Sequence, residues 1–486
     1  MKINHPNLLE GNCKNCLGKE DVDSAVKAAR EAFDRGPRPR FHGSARRKIL
    51  LKFADLIEQN TEELAALDAI DTGKFIYLLK IADIPLALDT ISYFNTQCKE
   101  KHLEKVYQRA QYKLQAYTLH ESIGVVGHII PWNFLIGLFS MKVGPEFVAG
   151  CTMVVKPAEQ TPLSALSCAH LAKLVGIPVG VLKVVPGFGP AAGAAISSHM
   201  DIDMVSFTGS TGRLIMQVAA TINLKPQCLE LGGNNNLYYL MSINKGQNII
   251  LKKFDFKTRG AIVPSVFVHF AHGVTLFAQR GEICVAGSRV FVQHGIYDEF
   301  LLKLKEKAKN WVVGDPFDPN SRQGSQVDKT QYEKILSYIE RGKKEGATLF
   351  YANWRRNVQK IAVRHLSYYI EPTIFIDVKD DMTIAQEEIF GPVMSLFKFK
   401  NVEEAIKRAN GTKCGLAAGI MTNDLNIANR VLRSIRAGAI WINCYSAFDG
   451  DCPCGGYKMS GFGMDTLKKY LQVKSITTPI HNSPWL

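Results

Sequence analysis

From Gln115 onward the sequence alternates between short apolar runs and longer segments with helical spacing, and this alternation constrains the fold most strongly. The apolar runs are rich in Val and Ile, and Gly or Pro ends each one, as is typical of buried strands. Because a helix follows each run, the strands are expected to lie parallel with helices on both faces. The sequence therefore predicts an α/β protein with mostly parallel sheets.

The predicted elements form two series. Three amphipathic helices come first, and Asn60 with Glu63 has the spacing of a capping box at the third. The helices are predicted at 21–34, 44–58, 61–71, 163–175, 191–198, 212–220, 297–311, 330–345 and 402–409, and the strands at 151–155, 181–185, 204–207, 227–231, 394–399 and 439–443.

The net charge of +14 is the one unusual value in the composition, and it raises the hypothesis of a polyanionic partner. Its distribution argues against this. Residues 241–271 hold five basic side chains and one acidic one, and residues 351–366 hold four basic side chains and no acidic one. No stripe of aromatic residues is interleaved with these charges, as single-strand binding requires. We therefore predict that the chain binds no nucleic acid.

Cysteine usage and hydropathy indicate a cytoplasmic protein. Eleven scattered cysteines fit a reducing compartment. The pairs Cys13/Cys16 and Cys452/Cys454 lack a second ligand pair, so we predict no metal. The uncharged stretches 122–141 and 260–279 are long enough to span a bilayer, but prolines and histidines interrupt both. The expected partners therefore do not include a membrane.

Two clusters that follow strands are suited to bind a dinucleotide, because ligands of open α/β sheets lie at the carboxyl ends of strands. The loop Gly209-Ser210-Thr211-Gly212 precedes a helix and can hold a phosphate, although a plain strand-to-helix turn has the same pattern. Lys156 and Glu159 follow another strand and can contact a ribose, although a surface ion pair is the alternative.

Two further clusters carry reactive groups. Cys284 lies in an apolar, strand-like run, where a buried core cysteine is the ordinary interpretation. Glu230 is flanked by leucines in Leu229-Glu230-Leu231-Gly232-Gly233, so partial desolvation would raise its pKa and suit a general base. A buried ion pair is the alternative for Glu230. Asn133 follows Trp132 at a turn, which is also where a purely structural asparagine occurs.

Taken together and in this order, these clusters resemble the aldehyde dehydrogenase superfamily. The resemblance covers most of the chain, and the strings look most like its plant cytosolic branch, which includes coniferaldehyde and sinapaldehyde dehydrogenases. The strings are IIPWN, KVGP, VVKPAEQTPLSAL, DMVSFTGST, LELGG, GEICVA, VVGDPFDP, IAQEEIFGPV, AGAIWINCY and GGYKMSGFG.

The resemblance implies a fold of three parts and a chemistry. We expect a Rossmann-like NAD-binding domain at 1–99 and 123–232, a catalytic domain at 233–472, and a small β oligomerisation element at 100–122 and 473–486. It also implies a homotetramer or dimer. The implied reaction is the NAD-dependent oxidation of an aldehyde to a carboxylic acid through a cysteine thiohemiacetal and thioester, and a hydroxycinnamaldehyde of phenylpropanoid metabolism is one expected substrate.

Residue roles follow from the same resemblance. Cys284 would be the nucleophile, Glu230 the base that activates water, and Asn133 an oxyanion donor. The implied cofactor contacts are Lys142, Lys156, Glu159, Gly209, Ser210, Thr211, Gly212, Glu388, Phe390 and Trp132, and the acidic Glu159 favours NAD over NADP. Trp132, Phe448 and Cys454 match positions that line the aldehyde tunnel.

An alternative hypothesis is a catalytically silent protein with the same fold, acting as an inactive subunit or binding protein. It rests on four departures from the family pattern. The first β-hairpin of the family is expected to be missing, the phosphate loop is two residues shorter, and the chain between Glu230 and Cys284 is about twenty residues longer. The fourth departure is that residues 353–369 replace a glycine-rich loop and a short stretch after Gly463 is absent. Two residues correspond to roughly half a turn of the following helix.

Overall fold

The computed structural model describes residues 16–36, 42–97, 103–109, 114–233, 236–239, 276–277, 279–352, 368–448, 452–463 and 466–479. Within them the strands build sheets of six, seven and three strands, with one further two-stranded ribbon. The strands in chain order, β1 to β18, are Leu103–Arg109, Leu114–Ser122, Val125–Ile129, Thr152–Lys156, Leu182–Val184, Met204–Thr208, Gln227–Glu230, Asn236–Tyr239, Arg289–Gln293, Thr348–Tyr351, Thr373–Ile376, Val393–Phe399, Cys414–Gly415, Ala417–Met421, Ala439–Ile442, Tyr457–Lys458, Gly461–Phe462 and Leu471–Pro479.

The six-stranded sheet has the order β17-β7-β6-β3-β4-β5. Strands β3 to β7 are parallel, and every residue of β3, β4 and β6 is buried, as sheets covered by helices on both faces require. The strand order reverses between β3 and β6. In open α/β sheets this switch point is where a ligand crevice opens, so the loops after Ile129 and Thr208 border the expected crevice.

The seven-stranded sheet, of order β10-β11-β12-β9-β8-β14-β15, supports the segment with Cys284. Its strands are parallel except for β10, which pairs antiparallel with β11. A large cluster of apolar side chains lies under it, with Phe291 and Phe397 stacked at 4.8 Å between ring centroids. Strand β9 begins five residues after Cys284, so this core anchors the segment at its C-terminal side.

Strands from the last part of the chain pair with strands from its first half. Strand β18 pairs antiparallel with β2 over nine residues in the three-stranded sheet β1-β2-β18. Strand β17 pairs antiparallel with β7, opposite Leu229 and Glu230. Next to it, the Ser460 carbonyl accepts from Leu231 N and the Ser460 hydroxyl donates to the Gly232 carbonyl at 2.9 Å.

The predicted helices and strands are all present in the described residues, and most bounds agree to within two residues. The helix predicted at 191–198 begins with a π-helical segment, Gly189–Gly193. The capping box predicted at Asn60 is wrong, because the Asn60 amide donates back to the Leu56 carbonyl instead. The helices are Lys19–Asp34, Gly43–Gln59, Thr61–Thr72, Ile76–Leu78, Ile84–Thr96, Leu135–Ala149, Leu163–Leu174, Ala194–Ser198, Gly212–Ile222, Tyr297–Lys309, Lys329–Lys344, Thr383–Gln386, Val402–Asn410 and Leu425–Ser434.

Among the described residues, no helix is both long and apolar enough to cross a bilayer. The same part of the chain holds no group of three His, Cys, Asp or Glu side chains that could bind a metal. Cys13, the whole basic segment 241–271 and most of the segment 353–369 lie outside the described residues.

Candidate active site

Cys284 lies in a turn, not in the strand that its apolar neighbours suggest. The chain bends at Arg280 and Gly281, whose φ angles are +59° and +70°. Gly281 cannot be replaced freely, because a Cβ there would lie 1.8 Å from the Gly391 carbonyl oxygen. This bend leaves Cys284 half-buried at the edge of the core rather than inside a sheet.

Asn133 is brought to the Cys284 loop from the other large sheet. It follows the carboxyl end of β3 and is 5% exposed. Its Nδ2 donates to the Glu282 carbonyl at 3.0 Å, two residues before Cys284. An amide nitrogen carries two hydrogens, so one remains for a group bound beside the thiol. Asn133 therefore contacts the segment that contains Cys284 directly, as the resemblance implies.

Two carboxylates face the Cys284 thiol. Burial, together with the negative charges of Glu388 and Glu230, raises the pKa of Cys284 to about 12. Glu230 ends β7 and is 8% exposed. The thiol is therefore protonated at neutral pH, and a nearby base must accept its proton before it can attack a carbonyl.

Glu388 is held against the end of β7. Its Oε1 accepts from Gly233 N at 2.7 Å, and a Cβ on Gly232 would lie 2.0 Å from its Oε2. Burial raises the pKa of Glu388 to about 7, while the Gly233 N–H and the Lys334 charge lower it. The first glycine of the pair in the LELGG string is thus explained by the close approach of this carboxylate.

Lys334 and Gln331 were missed by sequence reasoning. Both lie in the first turns of the helix Lys329–Lys344, where charged residues resemble a solvated face. Burial lowers the pKa of Lys334, and the neighbouring carboxylates of Glu388 and Glu387 raise it. Gln331 Nε2 donates to the Phe390 carbonyl at 2.6 Å. Their spacing of three places them on one helix face, but the sequence does not show which element that face lies against.

Aromatic residues surround the cysteine loop in two clusters. Trp132 packs edge-on against Phe390 at 5.5 Å between ring centroids. Phe448 packs in the same way against Trp441 at 5.4 Å. Tyr445 Oη donates to the Val285 carbonyl at 2.6 Å, which ties the second cluster to the residue after Cys284. Cys454 is half-buried.

The other predicted cofactor residues border the crevice of the six-stranded sheet. Lys156 ends β4 and its Nζ lies 3.3 Å from Glu159 Oε2; burial lowers the pKa of this lysine. The Gly209 loop follows β6, and Gly209 has a φ of +147°. Ser210 and Thr211 are exposed, and Gly212 begins the next helix. Lys142 is fully buried in the helix after Asn133.

The sequence profile described as aldehyde dehydrogenase family matches residues 14–476. The chain belongs to the aldehyde dehydrogenase family. Aldehyde dehydrogenase family 2 member C4 of Arabidopsis thaliana is 56% identical over 474 residues, which cover 96% of this chain and 89% of that protein. Aldehyde dehydrogenase 1 of Tanacetum cinerariifolium is 54% identical with the same coverages.

Solved structures of aldehyde dehydrogenases agree with this family member in fold. The NAD+ complex of aldehyde dehydrogenase from Bacillus cereus is 40% identical, with a TM-score of 0.86 over 96% of this chain and 90% of that one. The aldehyde dehydrogenase KauB from Pseudomonas aeruginosa is 36% identical, with the same TM-score and coverages. The predicted aldehyde dehydrogenase fold is confirmed, and nothing in the described residues favours the silent alternative.

The crevice of this family member has features that suit a dinucleotide. Thr208 ends β6 at the switch point, and within the described part of the chain its buried Oγ1 has no hydrogen-bond partner. The helix Gly212–Ile222 begins four residues later, and helix N-termini attract phosphate. Lys156 and Glu159 add a cation and a ribose acceptor at the neighbouring strand. The residues present therefore fit a pyrophosphate and its ribose.

Proposed function

We propose that the chain oxidises an aldehyde to a carboxylic acid with NAD+, using Cys284 as the nucleophile. The observation that carries the proposal is the meeting of a thiol, an amide donor and two carboxylates at one loop. Asn133 contacts that loop through Glu282, while Glu230 and Glu388 act on the Cys284 thiol through their charges.

In this proposal the thiolate of Cys284 attacks the aldehyde carbon and forms a thiohemiacetal. The free hydrogen of Asn133 Nδ2 and the backbone N–H of Cys284 stabilise the oxyanion, as donors fixed before the reaction do. NAD+ supplies the acceptor for the hydride that leaves this carbon. The product on Cys284 is a thioester, which water hydrolyses to the acid.

Glu230 is the proposed base for the hydrolytic water. It is buried at a strand end and close enough to Cys284 to act on its thiol electrostatically. A carboxylate beside the reacting group is the usual type of general base for such a water. Lys142, on the helix after Asn133, is proposed to lie toward the same site.

NAD+ is proposed to lie across the crevice between β3 and β6. Its adenosine ribose would contact Lys156 and Glu159, and its phosphates would approach the helix after the Gly209 loop. The nicotinamide end would lie near Glu388, Phe390 and Trp132. Gln331 joins this group because it bonds the Phe390 carbonyl, and Lys334 joins it because its charge acts on Glu388. The solved NAD+ complex of the Bacillus cereus relative supports NAD+ as the cofactor.

An aromatic aldehyde is the proposed substrate class. Trp132, Phe448 and Cys454 are proposed to line its tunnel, and flat aromatic walls suit a flat substrate. A relative named benzaldehyde dehydrogenase, mitochondrial, from Antirrhinum majus is 45% identical over 473 residues, which supports an aromatic substrate. Hydroxycinnamaldehydes are the subclass to examine first, with aliphatic aldehydes as the comparison.

We also propose roles for the domains, an oligomeric assembly and a cellular compartment. The NAD-binding part would be residues 1–99 and 123–232, and the catalytic part residues 233–472. Residues 100–122 and 473–486 would form the oligomerisation element of a homotetramer or dimer. We propose a cytoplasmic location, although a 45% identical Arabidopsis thaliana relative is named as mitochondrial.

The proposal is tested by NADH formation from purified protein, NAD+ and an aldehyde panel. Cys284→Ala should abolish both NADH formation and NAD+-independent ester hydrolysis, because both need the thiol. The matched control is Cys414→Ala, a half-buried cysteine on the short strand β13, which should retain both activities. Folded wild-type protein that lacks both activities would contradict the proposal.

A further inference from the structure

A buried ion pair lies directly behind the nucleophile. Arg280 Nη2 and Glu282 Oε2 are 2.7 Å apart, and both side chains have no solvent exposure. Neither residue is part of the chemistry proposed above, although Glu282 is only two residues from Cys284. Removing two charges from water costs several kcal/mol per ion, and apolar residues of similar size are often as stabilising. A function other than stability is therefore the better reason for the pair.

Both members of the pair bond the segment before the helix Lys329–Lys344, and Arg280 also reaches the end of the helix Thr61–Thr72. Arg280 Nη1 donates to the Thr72 carbonyl and to the Ser325 carbonyl, the latter at 2.9 Å. Glu282 Oε1 accepts from Val327 N at 3.3 Å. The loop is thus held on one side by the end of the helix Thr61–Thr72 and on the other by the segment before the helix Lys329–Lys344.

The same residue sets the position of the oxyanion donor. The carbonyl of Glu282 accepts from Asn133 Nδ2, so a movement of the Glu282 backbone would turn the amide away from the thiol. The side chain and the carbonyl of one residue therefore connect the anchoring ion pair to both Asn133 and Cys284. Few positions in the described chain could influence both groups so directly.

We propose that Glu282, paired with Arg280, is a positioning residue that holds Cys284 and Asn133 in register for attack on the aldehyde. The inference rests on the proposed roles of these two residues. A misplacement of about 1 Å at a reacting centre can lower a rate roughly a hundredfold, so a loose loop would be costly.

Burial and the neighbouring charges act on Glu282 in opposite directions. Burial raises its pKa, as does the charge of Asp328, whereas Arg280 and Lys74 lower it, and the net result is a pKa of about 7. Asp83 bonds Lys74 at 2.6 Å and accepts from Gln279 Nε2 at 3.3 Å, so it faces the same buried cluster. Loss of the Glu282 charge would leave Arg280 as a buried cation without its carboxylate.

The test compares Glu282→Gln with the double variant Arg280→Met/Glu282→Gln. The single variant retains an acceptor for Val327 N but loses the charge, so we expect kcat to fall roughly tenfold to a hundredfold with the KM for NAD+ within about twofold. The melting temperature should fall as well. The double variant removes the unpaired cation and should recover the melting temperature, but its kcat should stay low.

A second readout does not depend on turnover. The alkylation rate of Cys284 by iodoacetamide, followed by mass spectrometry of the peptide that contains it, should change in both variants. Glu403→Gln is the matched control, because its ion pair with Arg430 is exposed, and it should match the wild type throughout.

Two results would overturn the inference: wild-type kcat in folded Glu282→Gln, or a kcat that recovers together with the melting temperature in the double variant. Failure of the proposed function looks different, because the wild type itself would then be inactive. In that case, an alkylation rate unchanged from wild type in both folded variants would also overturn the positioning role.

Discussion

At the scale of single residues, the electrostatics of the site keep Cys284, the proposed nucleophile, in its thiol form. The pKa of Cys284 is raised to about 12, so almost all of the thiol is protonated at neutral pH. A thiol with such a raised pKa is poorly reactive toward oxidants and alkylating agents. It becomes a nucleophile only when its proton has a place to go, and Glu230 and Glu388 are the nearby candidates. Burial thus protects the same group that the reaction requires.

The raised pKa of Glu388 predicts that the stability of the protein depends on pH. Its pKa rises from the ordinary 4.5 to about 7, so between these values the folded chain holds a proton that the unfolded chain has released. The stability contributed by this group therefore falls as the pH rises through that window. Glu388→Gln removes this dependence.

The measurement is the melting temperature of both proteins at a series of pH values from about 4.5 to about 8. The melting temperature of the variant should rise relative to that of the wild type as the pH rises, and this difference should level off above the pKa of Glu388. Glu282 has a similar pKa in both proteins, so its contribution cancels. Glu333→Gln, an exposed residue of the same helix as Lys334, is the control. A constant difference across the series would contradict the prediction.

At the scale of elements, two glycines near the site differ in the atoms that a side chain would meet in their place. At Gly281 a Cβ would meet the Gly391 backbone oxygen, and the φ is +70°. At Gly232 a Cβ would meet only the flexible end of Glu388. We expect Gly281→Ala to cost about 1–3 kcal/mol of unfolding free energy, because neither backbone can yield easily.

Gly232→Ala should instead displace the Glu388 carboxylate, raising the KM for NAD+ with a much smaller loss of stability. Denaturant unfolding and steady-state kinetics of the two variants separate these effects. Equal losses of stability would show that the distinction between backbone and side-chain contacts is wrong.

Much of the element pattern could be predicted from the sequence, because alternation of apolar runs and helical segments sets the strands directly. The catalytic segment could not. Cys284 lies among apolar residues, yet the bend at Arg280 and Gly281 depends on the approach of Gly391, more than a hundred residues away. Local pattern carries no information about such a contact. Lys334 and Gln331 were missed for the same reason, since only tertiary packing turns a charged helix face toward a buried loop.

At the scale of the whole molecule, strand β18 is the structural partner of β2. Its nine residues occupy an edge that would otherwise expose unpaired backbone groups. We predict that a chain ending at Tyr470 aggregates or changes its oligomeric state. Size-exclusion chromatography with light scattering measures this, and a chain ending at Ile480 serves as the control. Identical behaviour of both truncations would contradict the prediction.

The pairing of β17 with β7 has a consequence for how the protein is made. The strand that ends at Glu230 pairs with β6 on one side, but it gains its second neighbour from residues 461–462, and Ser460 bonds the turn that follows it. During synthesis, more than two hundred residues must emerge after Glu230 before that strand is enclosed on both sides. We therefore expect a nascent chain on the ribosome to carry Glu230 at an open sheet edge until translation has almost finished.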